Sequence, residues 1–320
     1  MRFAPGTPAD RRLPCTLSLD LDDAWTYLRA AGRPGWETAP SVVPLVCERL
    51  LDAAARHRLR ITLFVVARDL EDERKVAAIA PFVRAGHEIG CHSHWHDPAF
   101  ATLDPAQLRA EIAGAADLIE RRLGVRPRGF RAPGFARNPH TPAVLAEAGF
   151  CYDGSFLPTF LGPIARLYYF LQSGMSREEK KKRAAMFGHW ADAFGHLRGR
   201  PHAGAPSVLD LPVTTMPLLR APFHFSYVLW LASKSRWLAR AWLGLGLSLC
   251  RLTRTPPSYL LHSLDFVGRG EHPSLDFFPG MDVPWAGKQA VVEHLLTSLT
   301  RRFAVGPLLP FAERALAPAR

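Results

Sequence analysis

The sequence predicts an α/β fold, a distorted (β/α) barrel carrying helical insertions, and three observations lead to it. Short apolar runs alternate with helix-length amphipathic stretches from residue 13 to about 155, the rhythm of parallel strands joined by crossover helices. The same alternation resumes from 258 to 315. Between them the rhythm breaks, so one pattern is interrupted and then completed, and residues 1–320 read as a single catalytic domain with insertions at 156–206 and 216–257.

The elements follow in order. Residues 15–20 (CTLSLD) form an apolar run ending in carboxylates, and a helical pattern spans 42–57. LRITLFVV at 59–66 is a β-branched buried strand, followed by a helix over 70–85 and a brief strand at 88–91. Asp104 is placed to cap a helix running to 123, and 128–131 is strand-like. After the insertions come a strand from 258, a helix over 288–303, and a last short strand and helix to 314. In such folds chemistry collects at the carboxyl ends of the strands.

Composition narrows the possibilities. At 48% hydrophobic and 22% charged, the 320 residues suit a packed domain, and the 28 prolines are scattered as loop punctuation. Five cysteines with no CxxC pair read as reduced thiols. The first fifteen residues lack the apolar stretch of a secretory leader, which predicts a cytoplasmic protein. The longest uncharged run, 221–233, is 13 residues, shorter than the roughly 18 needed to span a bilayer. Forty Lys and Arg against 29 Asp and Glu leave a charge of +11, which favours an anionic partner: a substrate phosphate, a nucleic acid or an acidic membrane surface.

Four constellations carry chemistry. Asp20-Leu21-Asp22-Asp23 ends the first apolar run; adjacent carboxylates need a cation or strong donor to persist, although alone the motif is more often a solvated turn with a helix-capping carboxylate. His92-Ser93-His94-Trp95-His96 places imidazoles four apart, able to converge on one ion, although histidines also pair by chance in loops. Gly129 to Phe135 (GFRAPGF) sends Arg131 from a strand into a Pro-Gly turn, placed to grip a carboxylate, yet alone such a segment is more often a surface turn. Leu260-Leu261-His262 ends a late strand in a histidine, a residue type usually satisfied structurally.

Together, and in this order, these segments resemble the polysaccharide deacetylases, the NodB-homology family, whose motifs are T-F-D-D-G, H-[ST]-x-x-H, R-x-P-x-G and L-x-H. The resemblance covers about 13–155 and 258–315 and includes Gly86 to Gly90 (GHEIG) and Gly149 to Asp153 (GFCYD). It implies a NodB-type barrel and metal-dependent hydrolysis of an N-acetyl or N-formyl group on an amino sugar. Asp23, His92 and His96 would then hold a divalent metal, zinc before other ions. Asp22 would be the general base, held ionised by Arg131, and His262 the general acid. The Gly134 N–H would contribute an oxyanion hole, with Phe135 and Asp265 near substrate. Three departures stand out: Ala24 replaces the usual Gly, the aromatic between Pro133 and Gly134 is missing, and the Asp-containing motif that tunes the acidic His has no clear copy. Asp210 and Asp265 are both open as its substitute.

The middle suggests the substrate. Residues 211–264 hold six Lys or Arg and no acid. Plotted as one helix, 226–250 gathers Trp230, Leu231, Trp237, Leu238 and Trp242 on one arc, Arg236 and Arg240 opposite, and Lys234 interrupting the arc. That pattern suits a membrane interface, with Lys180-Lys181-Lys182-Arg183 adding attraction to an anionic leaflet; packing on the barrel or a second subunit is the plainer alternative. An interfacial helix implies an amino sugar carried on polyprenyl phosphate or another lipid and a peripheral place on the inner membrane face. Residues 211–214 and 258–262 also resemble the family branch that deformylates lipid-linked aminoarabinose. Rival readings are an allantoinase-like hydrolase of a cyclic ureide, against which the large apolar insertions argue, and a catalytically dead binding protein. Nucleic acid is disfavoured because no binding motif accompanies the charge.

Overall fold

The computed structural model describes residues 12–317; the leader reading rests mainly on residues outside that span. Nine strands form one mixed sheet: β1 (Pro14–Leu21), β2 (Thr62–Val65), β3 (Glu88–Cys91), β4 (Gly129–Phe130), β5 (Tyr152–Asp153), β6 (Arg200–His202), β7 (Ala205–Asp210), β8 (Ser258–His262) and β9 (Ala304–Gly306). The spatial order is β6-β7-β5-β4-β3-β2-β1-β8, with β9 also paired to β1. All pairings are parallel except the β6–β7 hairpin at one edge. The remaining gap of the barrel is bridged by the segment after β7, where Thr214 N donates to Ser258 O (3.0 Å) and Ser258 N to Thr214 Oγ1 (2.6 Å).

The first half carries the crossovers foreseen in the sequence. They are α1 (Ala24–Ala30), α2 (Val43–Arg56), α3 (Glu73–Arg84), α4 (Pro105–Arg109), α5 (Ala115–Leu123) and α6 (Thr141–Glu147). Asp104 caps α4 as expected, in a capping box with Gln107. A π-turn at Ala110–Gly114 separates α4 from α5. The insertions supply α7 (Gly162–Gln172), α8 (Arg177–Lys182), α9 (Phe225–Lys234) and α10 (Arg236–Leu252), and the chain ends with α11 (Trp285–Arg302) and α12 (Leu308–Leu316).

Two expectations change. The interval 156–206 is not wholly outside the sheet, because β6 and the start of β7 fall within it. The proposed single helix over 226–250 is two, broken where Ser235 turns extended (φ −156°, ψ 116°) and its hydroxyl caps Leu238 N. The arc therefore divides: Trp230, Trp237 and Leu238 are exposed, whereas Leu231 and Trp242 are partly buried, with Trp242 Nε1 donating to Pro222 O at 3.3 Å. All five cysteines are buried and free.

Strand alternation sorts the core. Leu17, Leu19 and Leu21 of β1 face outward into the main cluster shared with the helices. Phe64, Tyr152 and Leu209 belong to a second cluster with Leu308 and Ala312 of α12. Glu88 ties this end together, accepting from Thr62 Oγ1 (2.6 Å), Tyr152 Oη (2.6 Å) and Leu309 N (2.8 Å), and burial pushes its carboxyl up despite those donors. Replacing Glu88 with Ala strands these donors, so thermal unfolding should show a loss of about 2–4 kcal/mol.

Candidate active site

Side chains two apart on β1 point the same way, and this period places Ser18, Asp20 and Asp22 together at the sheet's carboxyl end. Asp22 follows the last strand residue and is buried. Its Oδ1 lies 3.0 Å from His96 Nε2 and 3.5 Å from His92 Nε2, and it has no hydrogen-bond partner. One ligand atom from each of Asp22, His92 and His96 falls within 4.8 Å of the others. Two ligands about 2.1 Å from a tetrahedral ion sit about 3.4 Å apart, so the three fit a divalent metal.

The loop after β3 has to bend sharply to bring both imidazoles there. Ser93 and His96 take left-handed φ of 63° and 46°, unfavourable for residues with a side chain, and set the two rings edge to face at 4.9 Å. Ser93 Oγ accepts from His96 N at 3.1 Å. Glu111, projected by the π-turn, accepts from His94 N (3.1 Å) and Trp95 N (2.9 Å). His92 Nδ1 bonds to Arg131 O at 2.7 Å, which makes Nδ1 the donor and leaves the Nε2 lone pair turned to Asp22. Burial pushes the Asp22 carboxyl up, but His96 and His92 outweigh it and hold it below the usual range. Burial likewise opposes charge on His96, yet Asp22 raises it, whereas on His92 burial prevails.

Asp23 is elsewhere, which corrects its expected place among the ligands. It lies one residue further and turns away: its Oδ1 accepts from Ala24 N (2.7 Å), capping α1, and from Val42 N (2.8 Å). Its Oδ2 meets Lys75 Nζ at 2.6 Å, and Lys75 also pairs with Asp69. Arg131 does not hold Asp22 either. The fully buried guanidinium donates from Nη1 to Asp20 Oδ1 (2.6 Å) and Ser18 Oγ (3.0 Å), from Nε to Gly154 O (3.0 Å), and lies 4.2 Å over the Phe64 ring. The carboxylate pair of the site is therefore Asp20 and Asp22, not Asp22 and Asp23.

His262 ends β8, in register with Asp20. Its Nδ1 is 3.0 Å from Ser226 Oγ on α9, and that hydroxyl donates to Asp265 Oδ1 at 3.0 Å. Asp265 Oδ2 accepts from His262 N at 2.8 Å, and buried Lys288 fixes the same turn through Leu264 O. Asp265 thus acts on His262 through a serine, and its two oxygens are already engaged there rather than with substrate. Asp210 is the other way round: it pairs with Arg137 (3.3 Å) and His196 (3.4 Å) at the end of β7. Phe135 is buried with Leu157, Val213 and Leu260, so its ring is core rather than an open contact surface. Gly134 has φ 54°, Met186 lies 3.1 Å from where its Cβ would be, and its carbonyl accepts from Phe187 N (2.7 Å). The missing aromatic of the Arg131 turn thus leaves room that the first insertion fills.

Sequence reading placed Asp20 in the first constellation without giving it a role, and missed Ser226. The first was legible in the alternation T-L-S-L-D-L-D of residues 16–22, which puts Ser18, Asp20 and Asp22 on one face; nothing local marks Ser226, which reaches the site only through packing of α9.

Residues 22–152 match the polysaccharide deacetylase family model. A 92-residue stretch is 38% identical to the peptidoglycan deacetylase-like protein FGM2 of Gibberella zeae, covering 29% of this chain but only 25% of that relative. Among solved structures, a protein described as a polysaccharide deacetylase from Mycobacterium smegmatis aligns with TM-score 0.60 at 20% identity over 98% of this chain and 94% of its own. The allantoinase PuuE aligns with TM-score 0.58 at 15% identity, over 98% and 94%. These likenesses carry the barrel fold. Isothermal titration with Zn²⁺ should show binding lost in Asp22→Ala and kept in Asp23→Ala, while the second variant loses about 1–2 kcal/mol of stability with its helix cap.

Proposed function

We propose that the chain, whose residues 22–152 match the polysaccharide deacetylase family model, hydrolyses an N-acyl group, acetyl or formyl, from an amino sugar, using a divalent ion held by Asp22, His92 and His96. One observation carries the reading: an arginine-bound carboxylate, Asp20, stands two residues along the same strand face from a carboxylate grouped with two imidazoles. Zinc suits this nitrogen and oxygen ligand set. When bound, such an ion supplies Lewis-acid polarisation and lowers the pKa of water.

The protein's own groups perform the remaining work. Asp20, oriented by Arg131, takes the proton of the attacking water as its oxygen forms a bond to the acyl carbon. The Gly134 N–H in the Arg131 turn serves the developing negative oxygen. His262 in its doubly protonated form gives its Nε2 proton to the departing nitrogen as the C–N bond breaks, leaving a free amine and a carboxylic acid. Its Nδ1–H is directed to Ser226, which passes its own proton toward Asp265, so the imidazole is held with Nε2 facing outward from that relay.

The surface supports a lipid-borne substrate. At the tip of the α9–α10 hairpin, Trp230, Trp237 and Leu238 are exposed beside the exposed Lys234, Arg236 and Arg240. Phe194 is 90% exposed, and Leu167, Leu171, Leu218 and Leu219 are exposed as well. Apolar side chains interleaved with cations, with no acid over 211–264, suit an anionic lipid interface. Among the described residues no helix is long and apolar enough to cross a membrane.

The test uses zinc-loaded protein and mass spectrometry of an N-acylated amino sugar, free and on polyprenyl phosphate in anionic vesicles. Acyl release, faster on vesicles, is expected, and no release from either would refute the activity. In the same assay Asp20→Asn should lower kcat by roughly 10²- to 10⁴-fold with the fold intact by circular dichroism. Ser226→Ala should lower it about tenfold, with Ser226→Thr restoring the loss.

A further inference from the structure

Arg68 follows the end of β2, on the carboxyl side of the sheet where the Asp22–His92–His96 group lies. Its loop is fastened to the one that carries the two histidines: Ala67 N donates to Ser93 O (3.0 Å) and Arg68 N to His94 O (3.1 Å). The guanidinium is enclosed by indoles. Its central carbon lies 4.5 Å from the ring centroid of Trp95, 4.6 Å from that of Trp25 and 5.6 Å from that of Trp36. Trp95, the residue before His96, is 43% exposed, so the cluster forms part of the rim of the site.

This cluster leaves the positive charge without a counter-ion. Among the described residues Arg68 makes no ion pair and donates no side-chain hydrogen bond, and none of its side-chain nitrogens is sealed off from solvent. The neighbouring Asp69 is turned inward, where its Oδ1 accepts from Trp25 Nε1 (2.8 Å) and Lys75 Nζ (2.5 Å). Those bonds fix Trp25 in place, and Arg29 fixes the opposite wall by donating from Nη1 to Trp95 O at 2.7 Å. Aromatic rings answer part of a guanidinium's charge but none of its N–H donors, which lie in the plane and need oxygen acceptors.

The chemistry of the missing acceptor follows from the charges. A group with donors only repels an ammonium and matches an oxyanion. Arg29 also lies 5.6 Å from the Trp36 centroid, so two guanidinium groups share one indole. The carboxylate beside Arg29, Asp97, is 3.8 Å away, beyond hydrogen-bond range. Two cations on one ring favour a phosphate over a singly charged carboxylate. From this geometry, and resting on the amino-sugar reading above, we propose that Arg68 binds a phosphate group carried by the substrate, with Trp25, Trp36 and Trp95 holding the guanidinium in position. The enzyme then selects an amino-sugar phosphate over the neutral sugar. Because the Arg68 loop is bonded to the His92–His96 loop, the anion is read at the mouth of the site and not on a remote face.

Calorimetry on the zinc-loaded protein compares N-acetylglucosamine 1-phosphate with N-acetylglucosamine, and acyl release from both is followed in parallel. The wild type should bind the phosphorylated sugar roughly tenfold or more tightly. Arg68→Gln should erase that preference while leaving release from N-acetylglucosamine unchanged, and Arg68→Lys, which keeps the charge, should retain part of it. Lys181→Gln, which removes the same charge from the exposed face of α8, should leave the preference whole. Equal affinity for the two sugars in the wild type, or a preference untouched in Arg68→Gln, would overturn the site. Two further probes separate the sources of phosphate: inorganic phosphate and phosphatidylglycerol vesicles. If either binds through Arg68 as tightly as the sugar phosphate, the anion is not read as part of the substrate and the proposal fails. An Arg68-dependent preference without any acyl release would uphold the phosphate site and refute the deacylase reading instead.

Discussion

The structure depends on a guanidinium placed where no water reaches it. Arg131 is wholly buried, and Asp20, Ser18 and the Gly154 carbonyl converge on it while the Phe64 face lies beneath. Those partners come from β1, β2 and the end of β5, so one side chain after β4 ties together four strands of the sheet, with β3 lying between them. Breaking such a pair leaves an uncompensated buried charge, typically about 3–5 kcal/mol, whereas the intact pair contributes mainly geometry. The same residue's carbonyl fixes His92 through Nδ1, so the carboxylate with Arg131 and the imidazole facing Asp22 are oriented by one anchor.

From that anchor the site divides its carboxylates by environment. Asp20 is bound to a cation, Asp22 is presented to two imidazoles, and Asp23, though adjacent in sequence, caps a helix and pairs with Lys75. The insertions complete what the barrel begins. The α9 serine couples His262 to Asp265, and Phe187 and Met186 close over Gly134. A barrel stripped of them would keep the Asp22–His92–His96 group but lose the serine that orients His262.

Much of this was legible in the sequence. The strand rhythm located the barrel, and the four motifs located the mouth, because a strand's apolar run and the polar residue at its end are local signals. The assignment of the acids failed for a physical reason: matching the adjacent pair Asp22-Asp23 to a motif ignored that neighbours on a strand face opposite ways, whereas the Asp20–Asp22 spacing faces one way. The break at Ser235 was visible only in part, since a serine before a helix caps it, while the apolar periodicity ran straight through. Ser226 carries no local signature at all; it matters through contacts with residues 36 and 39 positions away that tertiary packing alone creates.

The central claim is that the ion belongs to Asp22 with His92 and His96 while Asp20 stays with Arg131. Anomalous diffraction at the zinc edge from zinc-soaked crystals tests it directly. The account predicts a single strong peak about 2 Å from Asp22 and from Nε2 of both histidines, with the Asp20–Arg131 pair intact. A peak coordinated by Asp23, or by Asp20 released from Arg131, would contradict it.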